Sequence, residues 1–230
     1  MSLFEPLRLR LGSGSCQASL GKHSIAPLAP ATFDALPAWL AALPPARRAD
    51  IIVADGWVRY LLVAWPASLS QADEQEGYAR LKLKETFGAD VARWPLRLTP
   101  PRRGEECGLA CALPPPLLET LTAWADGRGT RLGRIRPAWI ASLQDQRRHL
   151  DSNGGLALAS DDRLTIGLWT HRGWRALRSL PFGGATSAIE LARWFDALDL
   201  PADGTLHCLG WQAPPRLGAW SCQQLAESRP

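Results

Sequence analysis

Apolar and polar positions alternate most cleanly near the start of the chain, where Leu7-Arg-Leu-Arg-Leu11 puts every second side chain on one face. That period of two predicts a half-buried strand. Gly12-Ser-Gly-Ser15 supplies a turn, and Cys16 to Leu20 returns as a second strand. After a loop carrying Pro27 and Pro30, residues Phe33, Leu36, Leu40 and Leu43 fall at helical spacing. Asp34 is the candidate N-cap, which sets Pro37 in the first turn, and Pro44-Pro45 stops the helix. Ile51 to Ala54 is a continuous apolar run, the pattern of a strand covered on both faces. It breaks at Asp55-Gly56. A β-branched and aromatic run then extends from Val58 to Trp65 and ends at Pro66.

From Trp57 to Trp139 the pattern predicts a β-α-β-β-α-β unit. Ser70 with Asp73 reads as a capping box, opening a helix with Ala79, Leu83 and Phe87 in one stripe. Trp94 to Leu98 and Cys107 to Leu113 form the central hairpin, joined by Pro100-Pro-Arg-Arg-Gly104. Pro114 to Pro116 lead into a second helix with Leu117, Leu118, Leu121, Trp124 and Ala125 on one face. Arg131 to Arg136 alternates as the closing strand.

A short helix at 140–150 hands over at Asn153-Gly-Gly155 to a repeat of the opening order. Strands are expected at 156–159, 164–170 and 174–180, with Asp161-Asp162 in the first turn. Ser187 and Glu190 would cap a helix, Thr205 to Trp211 would form one more strand, and the tail from Ala213 reads as peripheral. The organisation expected is therefore a first half at 1–56, an inserted module at 57–139 and a second half at 140–230.

Composition narrows the class. With 46% hydrophobic and 21% charged residues, 230 residues build an ordinary globular core. No apolar run is long enough to span a membrane, and Met1-Ser-Leu-Phe-Glu5 lacks the regions of a signal peptide, so a cytosolic protein is expected. Five scattered cysteines are not a disulfide framework; Cys107 and Cys111 share a strand face without the further ligands that zinc requires. The net charge of +4 comes almost wholly from arginine, spread as single residues and the doublets at 47–48, 102–103 and 147–148. A spread of that kind solvates a surface or biases the protein toward an anionic leaflet; it does not mark a nucleic-acid site.

Catalytic chemistry finds no foothold. The histidines at 23, 149, 171 and 207 have no metal-ligand spacing, and no phosphate loop or nucleophile elbow occurs. Asp55 follows an apolar strand as a magnesium-binding aspartate would, yet a turn residue before Gly56 explains it better. Asp161 and Asp162 are adjacent in a turn, where side chains diverge.

The order of elements, carried by Ile51–Pro66, Tyr78–Gly88 with Trp94–Leu98, and Ile135–Trp139, resembles the actin-like proteins of pilus and secretion machines: PilM, MshI and the cytoplasmic domain of GspL. The resemblance implies an α/β, actin-like (duplicated RNase H-like) fold with an inserted β-α-β-β-α-β module. It implies a non-catalytic cytoplasmic scaffold, peripheral to the inner membrane, that grips a cytoplasmic segment of an inner-membrane assembly protein and helps recruit an assembly ATPase. The alternative is a nucleotide-binding ATPase of the same fold. The first hairpin, Leu11 to Cys16, lacks the acid of the nucleotide-binding members, so no cofactor is expected and ATP with magnesium is disfavoured. The chain shows no membrane helix after this region, so attachment would be borrowed from a partner. In the resembling family the partner peptide lies beside the inserted module, which assigns partner binding to Arg59 and Tyr60 on its first strand and Arg134 and Arg136 on its last.

Overall fold

The computed structural model describes residues 5–12, 14–21, 23–28, 34–66, 68–101, 104–160, 163–182, 188–201, 203–212, 214 and 216–225. Leu7–Leu11 (β1) pairs antiparallel with Cys16–Leu20 (β2), and β2 with His23–Leu28 (β3). Leu36–Ala42 (α1) leads to Arg48–Val53 (β4), which runs parallel to β1. β3 is a strand where the sequence predicts a loop. Pro27 removes one ladder donor, which an edge strand tolerates, and β3 lies at the sheet edge. The N-cap of α1 is Ala35, one residue beyond Asp34, and Pro30 and Phe33 lie outside the described residues.

A 3-10 turn at Asp55–Trp57 precedes Arg59–Ala64 (β5), Ala72–Phe87 (α2), Leu96–Thr99 (β6) and Cys107–Ala112 (β7). These strands form their own sheet in the order β5-β7-β6. Ala79 and Leu83 of α2 are fully buried against it, while Phe87 is 37% exposed. The capping box of α2 is Gln71 with Glu74, one residue later than Ser70 with Asp73.

Pro115–Gly127 (α3) and Arg131–Pro137 (β8) follow. β8 pairs parallel with β4, completing a five-stranded sheet of order β3-β2-β1-β4-β8. Leu117 and Leu121 of α3 enter the core formed by Leu7, Leu9, Leu40 and Ile51. Arg128 donates from Nη1 to the Ala41 carbonyl and from Nη2 to that of Leu43, both at 2.7 Å, so it satisfies the end of α1. The order expected over 57–139 is present, but its last helix and strand belong to the first lobe. The apolar stripe of α3 covers the same sheet face as α1, and the ladder of β4 recruits β8. The separate module is β5, α2, β6 and β7.

Ala138–Gln146 (α4) connects to the second lobe. That lobe contains Gly154–Ser160 (β9), Arg163–Thr170 (β10), Gly173–Pro181 (β11), Ala188–Asp196 (α5), Thr205–Leu209 (β12), Arg216–Leu217 (β13) and Trp220–Gln224 (β14). Its sheet order, β11-β10-β9-β12-β14-β13, repeats that of the first lobe with one strand added. The tail is not peripheral. β14 runs parallel to β12, and Trp220 is 1% exposed, donating from Nε1 to the Pro201 carbonyl at 2.7 Å. Its ring fills the space that a Cβ on Gly204 would occupy. The turn at Asp161-Asp162, the doublet Arg102-Arg103 and the cap residue Ser187 lie outside the described residues.

Candidate functional site at the lobe junction

The 3-10 turn after β4 buries Asp55 to 1% exposure. Its Oδ1 accepts hydrogen bonds from the Tyr60 hydroxyl at 2.5 Å and from the backbone N–H of Trp139 at 3.1 Å. Tyr60 belongs to β5, and Trp139 to the first turn of α4, whose N-cap residue Pro137 supplies no side-chain cap. Asp55 thus does the work of an N-cap from 84 positions upstream. Its Oδ2 has no hydrogen bond of normal geometry. Beside the carboxylate lies Thr165 of β10, whose Oγ1 is 3.1 Å from Ser179 Oγ. One carboxylate therefore meets both lobes, the module and the connecting helix.

Burial raises the Asp55 carboxyl from 3.8 to about 6, against the opposing pull of the Tyr60 hydroxyl, the Trp139 amide, the Thr165 hydroxyl and the Arg163 charge. Burial and the same carboxylate push Tyr60 well above its ordinary range, so the phenol remains the donor. Trp139 is fully buried and donates from Nε1 to the Leu156 carbonyl at 3.0 Å. Its ring stands edge-on to Tyr60 at 6.1 Å and lies 5.7 Å from Trp174, which meets Trp169 edge-on. The same ring occupies the space that a Cβ on Gly167 would need. β5 and β7 pack against β11, with Arg175 Nη1 3.3 Å from Glu106 Oε2 at the rim. In the second lobe, buried His207 brings Nε2 to 3.4 Å from Asp151 Oδ2, close enough for an ion pair but not in hydrogen-bond geometry.

Of the four residues assigned to partner binding, Tyr60 requires correction: it is buried and its hydroxyl is committed to Asp55. Arg59 is half-buried, donating from Nη1 to the Gly56 and Val58 carbonyls, with its guanidinium 5.6 Å from the Trp94 ring centre. Arg134 is exposed, and its backbone N–H binds Asp50 Oδ1 at 2.9 Å. Arg136 is half-buried and donates from Nη1 to Gln144 Oε1 at 3.0 Å. Arg59 and the two β8 arginines stand in different sheets. The sequence pattern presents Asp55 as a turn residue before Gly56. The one local signal of its role is an acid placed directly after an apolar strand.

No family model matches the chain, and no curated protein matches it at a significant level. Solved structures do. The cytoplasmic domain of EpsL, an inner-membrane component of the type II secretion system of Vibrio cholerae, is similar over 98% of this chain and 87% of that one, at 17% identity and a TM-score of 0.56. A Bacteroides thetaiotaomicron protein of unknown function with an actin-like ATPase fold is similar over 90% of this chain and 82% of that one, at 12% identity and a TM-score of 0.60. The PilM–PilN type IV pilus biogenesis complex aligns over 85% of this chain and 67% of that one, at 16% identity and a TM-score of 0.49. The protein has the actin-like fold.

In the first hairpin the Gly12 N–H donates to the Ser15 carbonyl at 2.7 Å, so it does not face outward to a phosphate. Asp55 is sealed from solvent, with Oδ1 spent inside the fold. Among the described residues no three His, Cys, Asp or Glu side chains gather to hold a metal, and no helix is long and apolar enough to cross a membrane.

Proposed function

We propose that this protein is a non-catalytic scaffold of a type II secretion or type IV pilus-like assembly. In this reading it works in the cytoplasm beside the inner membrane and holds a cytoplasmic segment of an inner-membrane partner. The observation that carries the proposal is the Asp55 junction: the acid between the lobes is buried, and its Oδ1 ties β5 and α4 to the end of β4, which makes it a structural group. The end-to-end likeness to the EpsL cytoplasmic domain supports the choice of machine. Exposed Arg134, with Arg59, remains the candidate partner surface; Tyr60 does not.

The test has two arms. Pull-down from native membranes is expected to recover an inner-membrane assembly protein, and Arg134→Glu is expected to reduce that capture without changing the melting temperature. In the second arm, magnesium and ATP are expected to leave the melting curve unmoved. A nucleotide at a hundredfold its dissociation constant would add about 2.7 kcal/mol, and a shift of that size would replace the scaffold by an ATPase.

A further inference from the structure

The alternation of β1 has a second consequence. Leu7, Leu9 and Leu11 face the core, so Arg8 and Arg10 project from the opposite face of the first-lobe sheet, and both are exposed. Residues paired across strands share a face. Register therefore sets Arg8 beside Asp50, Arg10 and Arg136 beside Ile52, and Arg48 beside Arg131. Asp50 is the one carboxylate among these, and it is bound to Arg48 at 3.0 Å. The face spans β1, β4 and β8, roughly 10 Å across at the usual strand spacing. Parallel strands are ordinarily covered on both sides. Here the helices α1 and α3 cover one side, and on the other α4 packs against β4 and β8, while Arg8 and Arg10 of β1 stay exposed.

We infer that this arginine face is a docking surface for an anionic lipid bilayer. Charge selects an anionic occupant, because Arg8, Arg10 and Arg131 have no ion pair among the described residues. The lack of an apolar centre argues against a protein: interface cores are depleted of charge and anchored by aromatic or aliphatic groups, and here half-buried Ile52 is turned to the core at the lobe junction instead. The arginines of this face all lie on strands, none on a helix that could enter a groove, which argues against a duplex. What remains is a planar, diffuse negative charge, which arginines at a surface attract without insertion. The inference goes beyond the scaffold reading, because this contact needs no protein partner.

Flotation with phosphatidylcholine vesicles, with and without phosphatidylglycerol, tests it using the purified chain. Binding is expected only to the anionic vesicles at about 0.1 M salt, and is expected to vanish near 1 M, where the Debye length falls to about 3 Å. Arg8→Glu with Arg10→Glu should weaken binding at least ~10-fold. Should that pair fail to fold by circular dichroism, Arg131→Glu alone carries the test. Three results would overturn the inference: no flotation by the wild type, equal flotation by a folded variant, or duplex DNA competing the protein off the vesicles. None of the three bears on capture of a membrane protein in the pull-down.

Discussion

Two helices of this protein begin in opposite ways. α2 is capped from within: the Gln71 side chain accepts the Glu74 amide, and the Glu74 carboxylate accepts the Gln71 N–H at 3.3 Å. α4 has no side-chain cap of its own, and its Trp139 N–H is satisfied by Asp55 at the end of β4. Both arrangements answer the same need, since the first N–H groups of a helix have no partner inside it. Their consequences differ. A local cap stabilises one segment, whereas a remote cap makes the first turn of α4 depend on the positions of β4 and β5. The module's helix is self-sufficient. The connecting helix is coupled.

Removing the remote cap is expected to have the largest effect. Asp55→Ala leaves the Tyr60 hydroxyl and the Trp139 amide as buried donors without an acceptor, at about 1–3 kcal/mol each. Relief of the buried charge offsets part of this, so a net loss of about 3 kcal/mol is expected from urea denaturation at neutral pH. A loss below about 1 kcal/mol would mean that the two helix starts do not differ as described. Gly167→Ala comes next. Its methyl would meet the Trp139 ring, and such overpacking costs about 1–3 kcal/mol. The near-UV circular dichroism of the tryptophans should change with it, and an unaltered spectrum would place the indole elsewhere.

A smaller effect, opposite in sign, separates the hydrogen bonds of Asp55 from its charge. The folded state holds the Asp55 proton more tightly than the unfolded chain. This contribution to stability is therefore full below the ordinary value of 3.8 and is lost as pH rises through about 6. At about 1.4 kcal/mol for each unit, ionisation removes at most ~3 kcal/mol by neutral pH. Asp55→Asn keeps an acceptor for both donors and removes the charge. It is expected to be more stable than wild type by about 1–2 kcal/mol at pH 8 and to lose that advantage by pH 4, read from urea midpoints at both pH values. An unchanged pH dependence would show that the carboxylate is not the buried titrating group.

The sequence carried much of the local structure and little of the junction. Alternation in β1, the stripe of α2 and the return of the opening order after residue 153 are near-neighbour patterns, and the helices and strands stand where these patterns put them. Caps shifted by one residue, from Ser70 to Gln71 and from Asp34 to Ala35, because several adjacent polar residues satisfy the same rule. Pairing was less legible. Nothing in Arg131–Pro137 says that it joins β4 rather than β7, since register is settled by which sheet face α3 covers. β14 carries no strand pattern of its own, because its buried apolar content is concentrated in Trp220, which packs over Gly204. The role of Asp55 is least visible of all: its partners are a tyrosine five residues on and an amide 84 residues on.

The local cap should give the smallest effect. Gln71→Ala removes the acceptor for the Glu74 amide at an exposed helix start, where water takes the vacated position. Cap substitutions of this kind cost about 0.5–2 kcal/mol, and exposure puts this one at the low end. The loss should be independent of pH between 5 and 8, because Gln71 does not titrate and no carboxylate is left buried. It should alter the tryptophan spectrum only through Trp65, whose Nε1 donates to the Gln75 carbonyl in the first turn of α2, since Trp139, Trp169 and Trp174 lie at the junction. Combined with Asp55→Ala, the two losses should add to within about 0.5 kcal/mol, as they do for sites that share no partner. A larger coupling would mean that α2 is also tied to the junction, and the difference between the two helix starts would disappear.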